Sequence, residues 1–199
     1  WQIVPFNDSD ARVADCLPRK FTTKYAYQGD IPVGEGNTYT SLTADDATGL
    51  FKTLNNGMIT GNLNVLITSD LTETGAVALN QTEEGGAGGY TITIKPNAAS
   101  MRTISGSLAS NGLIRLNDAD RVIIDGRFDG AGRYLTIRNT STTTPTAIKL
   151  TRASDGAKNV TVRNSIISTA SQTTGYGIWA EANSDYLAVT DNLIPMAGV

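Results

Sequence analysis

The sequence predicts an all-β fold, a right-handed parallel β-helix solenoid with a short N-terminal capping helix, and three observations carry that expectation. The first is a pattern that returns about every 30 residues, within the range of solenoid repeats. Leu113 to Asp125 reads LIRLNDADRVIID, Ala147 to Ile167 reads AIKLTRASDGAKNVTVRNSII, and Gly177 to Ile194 reads GIWAEANSDYLAVTDNLI. Period-2 alternation sets Ile114, Ile148 and Ile178 in one inward column and Ile124, Val162 and Val189 in a second. The second observation is composition: only 18% of residues are charged, and Gly, Thr, Ser and Asn are abundant, which suits stacked strands and turns better than surface helices. The third is that polar turns, with no helix between them, join the strands, and no Leu-x-x-Leu-x-Leu run with a fixed Asn or Cys marks a leucine-rich repeat. A small residue follows the first strand of each copy (Ala119, Ala153, Ala182), and Asn164 and Asn192 follow the second, either as a stacked amide ladder or as turn residues.

In chain order, residues 1–36 read as an extended leader and linker and 37–199 as the β-helix domain. Lys20 to Gln28 alternates Phe21, Thr23, Tyr25 and Tyr27 and reads as one strand, whereas Ile31 to Asn37, IPVGEGN, reads as a linker broken by Pro and Gly. A helix follows, with Ser or Thr caps and acids at Ser41 to Asp46, apolar residues at Leu50, Phe51 and Leu54, and a stop at Asn55-Asn56-Gly57. It would cover the open first coil, where backbone and apolar side chains otherwise lack partners. Strands resume at Asn62 to Thr68 and Tyr90 to Pro96, separated by Gly85-Gly86-Ala87-Gly88-Gly89. That glycine run has no GK[ST] ending and no helix after it, so it reads as a turn and not a phosphate loop.

The 199 residues suit one domain, able to bury roughly 70% of its unfolded surface. A net charge of −3 implies no particular partner, and Cys16, the only cysteine, reads as an ordinary thiol. No apolar run reaches membrane-spanning length. The chain opens on Trp1 and not Met, which suggests a processed or excised piece. It holds no histidine, so histidine triads, histidine-based metal sites and imidazole acid-base catalysis are excluded.

The succession YTSLTADDATGLFKTLNN, NLNVLITSDLTETGAVALNQ, GGYTITIKP, RTISGS, LIRLNDADRVIIDG and YLTIRNTS resembles the start of the β-helix region in large secreted surface proteins of Bacteroidota. The likeness covers roughly Asn37 to Asn192. It implies a pectin-lyase-like right-handed β-helix, export across the outer membrane by type IX secretion, and a place at the cell surface or in the medium. Two departures stand out: no sorting domain precedes Val199, which suggests truncation at the C-terminal end, and the opening 30 residues match nothing in that pattern.

Function is read from sites and not from the fold. The leading expectation is a non-catalytic stalk, adhesin or glycan-contacting module, with no cofactor and no metal. Trp179, between inward Ile178 and Ala180, should face outward, and with Tyr176 and Tyr186 it would form a stacking patch for sugars. Arg115 and Lys149 occupy equivalent outward places. Between Arg102 and Arg163 ten basic residues face five acids, a local +5 that would attract an acidic glycan. Nucleic acid is not expected, because the whole chain is acidic and its aromatics do not interleave with the basic set. The competing expectation is a polysaccharide lyase or glycoside hydrolase using Asp118, Asp120 and Asp125, with calcium as a possible cofactor. Against it, Asp118 and Asp120 fall in a turn and Asp125 precedes Gly126, places where Asp serves the backbone. A third expectation is a secretion cargo fragment held by a partner, since the last coil leaves a strand edge that further chain or a partner would cover.

Overall fold

The computed structural model describes residues 23–171 and 173–194. Cys16, the leader through position 22 and the end of the last predicted stretch, 195–199, lie outside the described residues. Strand pairing starts at β1 (Ala26–Val33), followed by one helix, α1 (Leu50–Asn55). The second coil holds β2 (Met58–Ile67), β3 (Leu71–Thr72) and β4 (Leu79–Asn80), and β5 (Glu83–Glu84) is a short addition beside β2. The third holds β6 (Ile92–Pro96), β7 (Arg102–Gly106) and β8 (Gly112–Asn117), and the fourth β9 (Val122–Asp125), β10 (Leu135–Asn139) and β11 (Thr146–Thr151). The fifth holds β12 (Thr161–Arg163), β13 (Ser165–Thr169) and β14 (Tyr176–Ala180), and β15 (Ala188–Thr190) opens the next.

These strands stack into three parallel sheets: β1-β2-β6-β9-β12-β15, β3-β7-β10-β13 and β4-β8-β11-β14. The chain visits the sheets in rotation, so the fold is a parallel β-solenoid of about five turns. Both predicted columns are present. Ile148 pairs with Ile114 and Ile178, and Val162 pairs with Ile124 and Val189. A third column, Leu71–Ile104–Ile137–Ile167, lines the second sheet. The core runs between the sheets, with Ile104, Ile114, Ile124, Ile148 and Val162 fully buried. Each such side chain contributes about 1.5–3 kcal/mol by leaving water.

Four local expectations are corrected. Ile31 to Val33 belong to β1, which pairs with Val65 to Ile67, and do not form a linker. Pro32 is tolerated because β1 is, among the described residues, an edge strand paired on one side by β2, where a missing N–H costs least. The helix starts at Leu50 behind Gly49, with no side-chain cap and no acid in its first turn, because Ser41 and Thr43 are engaged elsewhere. The small-residue column is shifted: Ala119 is buried, Ala153 and Ala182 are exposed, and the buried alanine of the next coil is Ala157. Asn164 does not stack on Asn192. Arg163 pairs with Thr190, so Asp191 is the residue in register with Asn164. Both have positive φ, 50° and 53°, as expected of a left-handed corner.

The capping helix takes the position of a third-sheet strand in the first coil and buries Leu50, Phe51 and Leu54. A buried carboxylate holds the loop ahead of it. Glu73, 3% exposed, accepts the amides of Leu42 (2.7 Å) and Thr43 (2.8 Å) and the hydroxyls of Ser41 (2.6 Å) and Thr43 (2.5 Å). Four donors on one carboxylate satisfy a group that would otherwise be costly to bury. Farther along, Asn139 does the same at another corner: it accepts from the Leu108 and Ser141 amides and donates to the Leu108 and Thr146 carbonyls.

Candidate functional site

The acids named for catalysis belong to the scaffold's corners. Asp118, at φ 54° after β8, turns its carboxylate onto the following coil and accepts the amides of Ala153 (3.1 Å), Ser154 (2.7 Å) and Gly156 (2.8 Å) and the Ser154 hydroxyl (3.1 Å). Asp120 accepts the Lys158 amide at 2.8 Å. Asp125 closes β9 and receives the Arg127 amide, the Arg127 guanidinium at 2.8 Å and the Arg163 guanidinium at 2.9 Å. Asp118 and Asp120 precede β9 and Asp125 ends it, so the three stand at opposite ends of a strand and do not converge.

Burial alone would raise the Asp118 carboxyl, but the amides of Gly156, Ser154 and Ala153 and the Ser154 hydroxyl outweigh it and hold the group below its usual value. Asp125 behaves alike: burial raises it, Arg127 and Arg163 pull it down further, and the net result is a lowered pKa. Neither has the raised pKa that a general acid needs at neutral pH. Calcium does not fit these two acids either, because N–H and O–H donors already occupy their oxygens. Among the described residues no three acids gather in a metal-holding group.

The depressed values have a consequence in acid. A carboxyl whose folded pKa lies below its unfolded value of about 4 stabilises the fold above that pH, and the contribution fades as pH falls through the folded value. Thermal unfolding followed from neutral pH to about pH 3 should show stability falling in the acid range, with a shallower fall in Asp118→Asn. Equal acid slopes for the two chains would refute this role for Asp118.

The glycine run is also accounted for by a carboxylate. Glu84 takes the amides of Gly89 (2.8 Å) and Tyr90 (3.2 Å) and pairs with Arg121 at 2.7 Å, so the loop folds around an internal anion.

The predicted ligand residues gather, with one exception, on the outer face of the third sheet. Arg115, Lys149 and Trp179 are in direct register on β8, β11 and β14. Neighbouring strands lie about 4.8 Å apart, so the three span roughly 10 Å along the solenoid axis. Trp179 is 39% exposed and Tyr176 47% exposed. Their rings meet edge to face with centroids 4.3 Å apart, an arrangement worth about 0.5–1.5 kcal/mol beyond its area. Lys149 lies 6.0 Å from the Trp179 ring centre, at the outer limit of a cation–π contact. Tyr186 is the exception. It sits in a left-handed turn before β15 and is 82% exposed.

One of the two cations on this face is balanced within it, a pairing that no local stretch of sequence shows. Lys149 pairs with Glu181 at 3.0 Å, and that pairing lowers the Glu181 carboxyl. Arg115 donates to the carbonyls of Gly75 (3.1 Å) and Ala76 (2.9 Å), tying β8 to the loop between β3 and β4. Beside this column a polar row links Asn80, Asn117 and Thr151, with Asn117 donating to Asn80 at 3.0 Å and accepting from Thr151 at 3.1 Å. The strip therefore offers an aromatic platform flanked by amide, hydroxyl and paired charges. No helix among the described residues is long and apolar enough to cross a membrane. Comparison of the chain with protein-family models, curated proteins and solved structures finds no match.

Proposed function

We propose that the chain is a non-catalytic, glycan-contacting module, part of a stalk or adhesin of a secreted bacterial cell-surface protein. The observation that carries this reading is the exposed Tyr176–Trp179 pair in register with Lys149 and Arg115. An aromatic face stacks on the apolar face of a sugar ring, and the adjacent Asn, Thr, Lys and Glu groups suit its hydroxyls. Lys149 is neutralised by Glu181, and Arg115, though in no ion pair among the described residues, is tied to carbonyls, so the strip offers less free positive charge than the local +5 suggests, which favours a neutral glycan. The engagement of Asp118 and Asp125 by structural donors supports a binding role over lyase or hydrolase chemistry. Export by type IX secretion remains part of the proposal through the sequence resemblance alone.

Affinity electrophoresis of the chain through gels containing neutral or acidic polysaccharides tests this directly. Retardation is expected in at least one neutral glycan, and Trp179→Ala should weaken it about tenfold, the equivalent of ~1.4 kcal/mol. Retardation that survives Trp179→Ala, or none across the panel, would discard the platform. Reducing-end release that depends on Asp118 or Asp125 would instead establish the enzyme reading.

A further inference from the structure

The chain contains two Asn-Gly pairs, Asn56-Gly57 and Asn111-Gly112, and the fold treats them differently. When glycine follows asparagine, its backbone nitrogen can reach the carbon of the side-chain amide, because no Cβ stands in the way. Whether it reacts depends on where the two groups are held.

Asn56 is held apart from that reaction. It caps the C-terminal end of α1 in a right-handed conformation, and its Nδ2 donates to the Lys52 carbonyl at 2.7 Å. The Gly57 amide is committed to the Leu54 carbonyl at 3.1 Å. Asn111 is the reverse case. It follows Ser110, which has a positive φ of 58°, at the corner leading into β8. There the Gly112 amide donates to the Oδ1 of Asn111 itself at 3.0 Å, so its nitrogen lies against the carboxamide it would attack. The Asn111 Nδ2, the leaving group, makes no hydrogen bond among the described residues. Asn111 is half-buried beside exposed Ser110, so water reaches it.

The fold also fixes the glycine. A Cβ at position 112 would lie 2.3 Å from the Lys149 Cβ and 3.1 Å from the Arg115 Cγ and the Lys149 nitrogen, so the stacking of β8 on β11 requires glycine there. We propose that Asn111 is a self-modification site, at which the Gly112 nitrogen closes on the side chain to form a succinimide that opens to aspartate or isoaspartate. Loss of the amide proton to hydroxide lets the Gly112 nitrogen bond to the Asn111 Cγ. The Cγ–Nδ2 bond breaks and ammonia leaves. Water then adds to one of the two ring carbonyls. Opening at the side-chain carbonyl leaves aspartate in an ordinary backbone, and opening at the main-chain carbonyl leaves isoaspartate, with one extra carbon in the backbone. Either product adds a negative charge four residues before Arg115, and isoaspartate also lengthens the entry to β8, whose register with β11 sets Arg115 against Lys149. The inference does not depend on the glycan reading, although β8 belongs to that strip.

In the test the full chain is kept folded in mildly alkaline buffer and sampled over time, and its tryptic peptides are followed by mass spectrometry. Thr103 to Arg115 is one tryptic peptide with Asn111 as its only asparagine, so the exchange of NH2 for OH is assigned to that residue. Asn111 should convert at least about tenfold faster than Asn56, and in urea the two rates should converge, since both are then unconstrained Asn-Gly pairs. An unmodified Asn111, or one converting no faster than Asn56, overturns the proposal. So does an excess that persists in urea, which would place the cause in the neighbouring sequence and not in the fold.

Discussion

Replacing Glu73 by Ala should cost about 3 kcal/mol or more of stability, among the larger single-residue effects in this chain. The substitution removes the acceptor of two amides and two hydroxyls at once, in a site of 3% exposure. A buried donor left without a partner costs about 1–3 kcal/mol. Ser41 retains some compensation, since its hydroxyl also accepts the Thr43 and Ala44 amides at 3.1 and 3.0 Å. The Leu42 amide has no second acceptor among the described residues, whereas that of Thr43 keeps the Ser41 hydroxyl. Glu73→Gln should recover part of the loss, as its carbonyl oxygen still accepts while its amide group faces donors. Urea unfolding measures the size of the effect, and hydrogen exchange locates it: the Leu42 and Thr43 amides should lose protection ahead of the rest. A Glu73→Ala chain within about 1 kcal/mol of the parent would mean that the latch contributes little to the cap.

The columns of the third and first sheets were legible because alternation is a strong signal where a strand has one buried face. Ile114, Ile148 and Ile178 fall in register, as do Ile124, Val162 and Val189, and Trp179 faces outward as its neighbours require. The second sheet was harder to see. Its strands β7, β10 and β13 show mostly Thr, Ser and Arg outward and are joined by loops that differ from coil to coil, which blurs the repeat. The polar latches were missed for a different reason. Glu73 follows Leu71 by two residues, and Asn139 follows Ile137 by two, so both continue an inward parity where apolar residues are expected. A polar residue at the end of an inward run was the available signal, and its partners are some 30 residues distant, beyond any local window. Charge balance on the candidate strip was equally invisible, because Lys149 and Glu181 meet only when β11 and β14 stack.

The same stacking makes the effect of a core substitution depend on its layer. Ile148 is fully buried between Ile114 and Ile178 in the middle of its column, whereas Ile178 is only half-buried in the last coil. Ile148→Ala removes three buried carbons with neighbours above and below that cannot close the gap, an expected loss of about 2–5 kcal/mol. Ile178→Ala removes the same atoms where one side is already open, and should cost less than about 1.5 kcal/mol. In a solenoid each coil contacts only its neighbours, so stability is close to a sum of coil and interface terms. Weakening a central interface should therefore split the array: thermal unfolding of Ile148→Ala should broaden or show two steps, and that of Ile178→Ala should keep the parent's shape. Calorimetry distinguishes these outcomes. Equal losses at the two positions would mean that the last coil is packed as fully as the middle one.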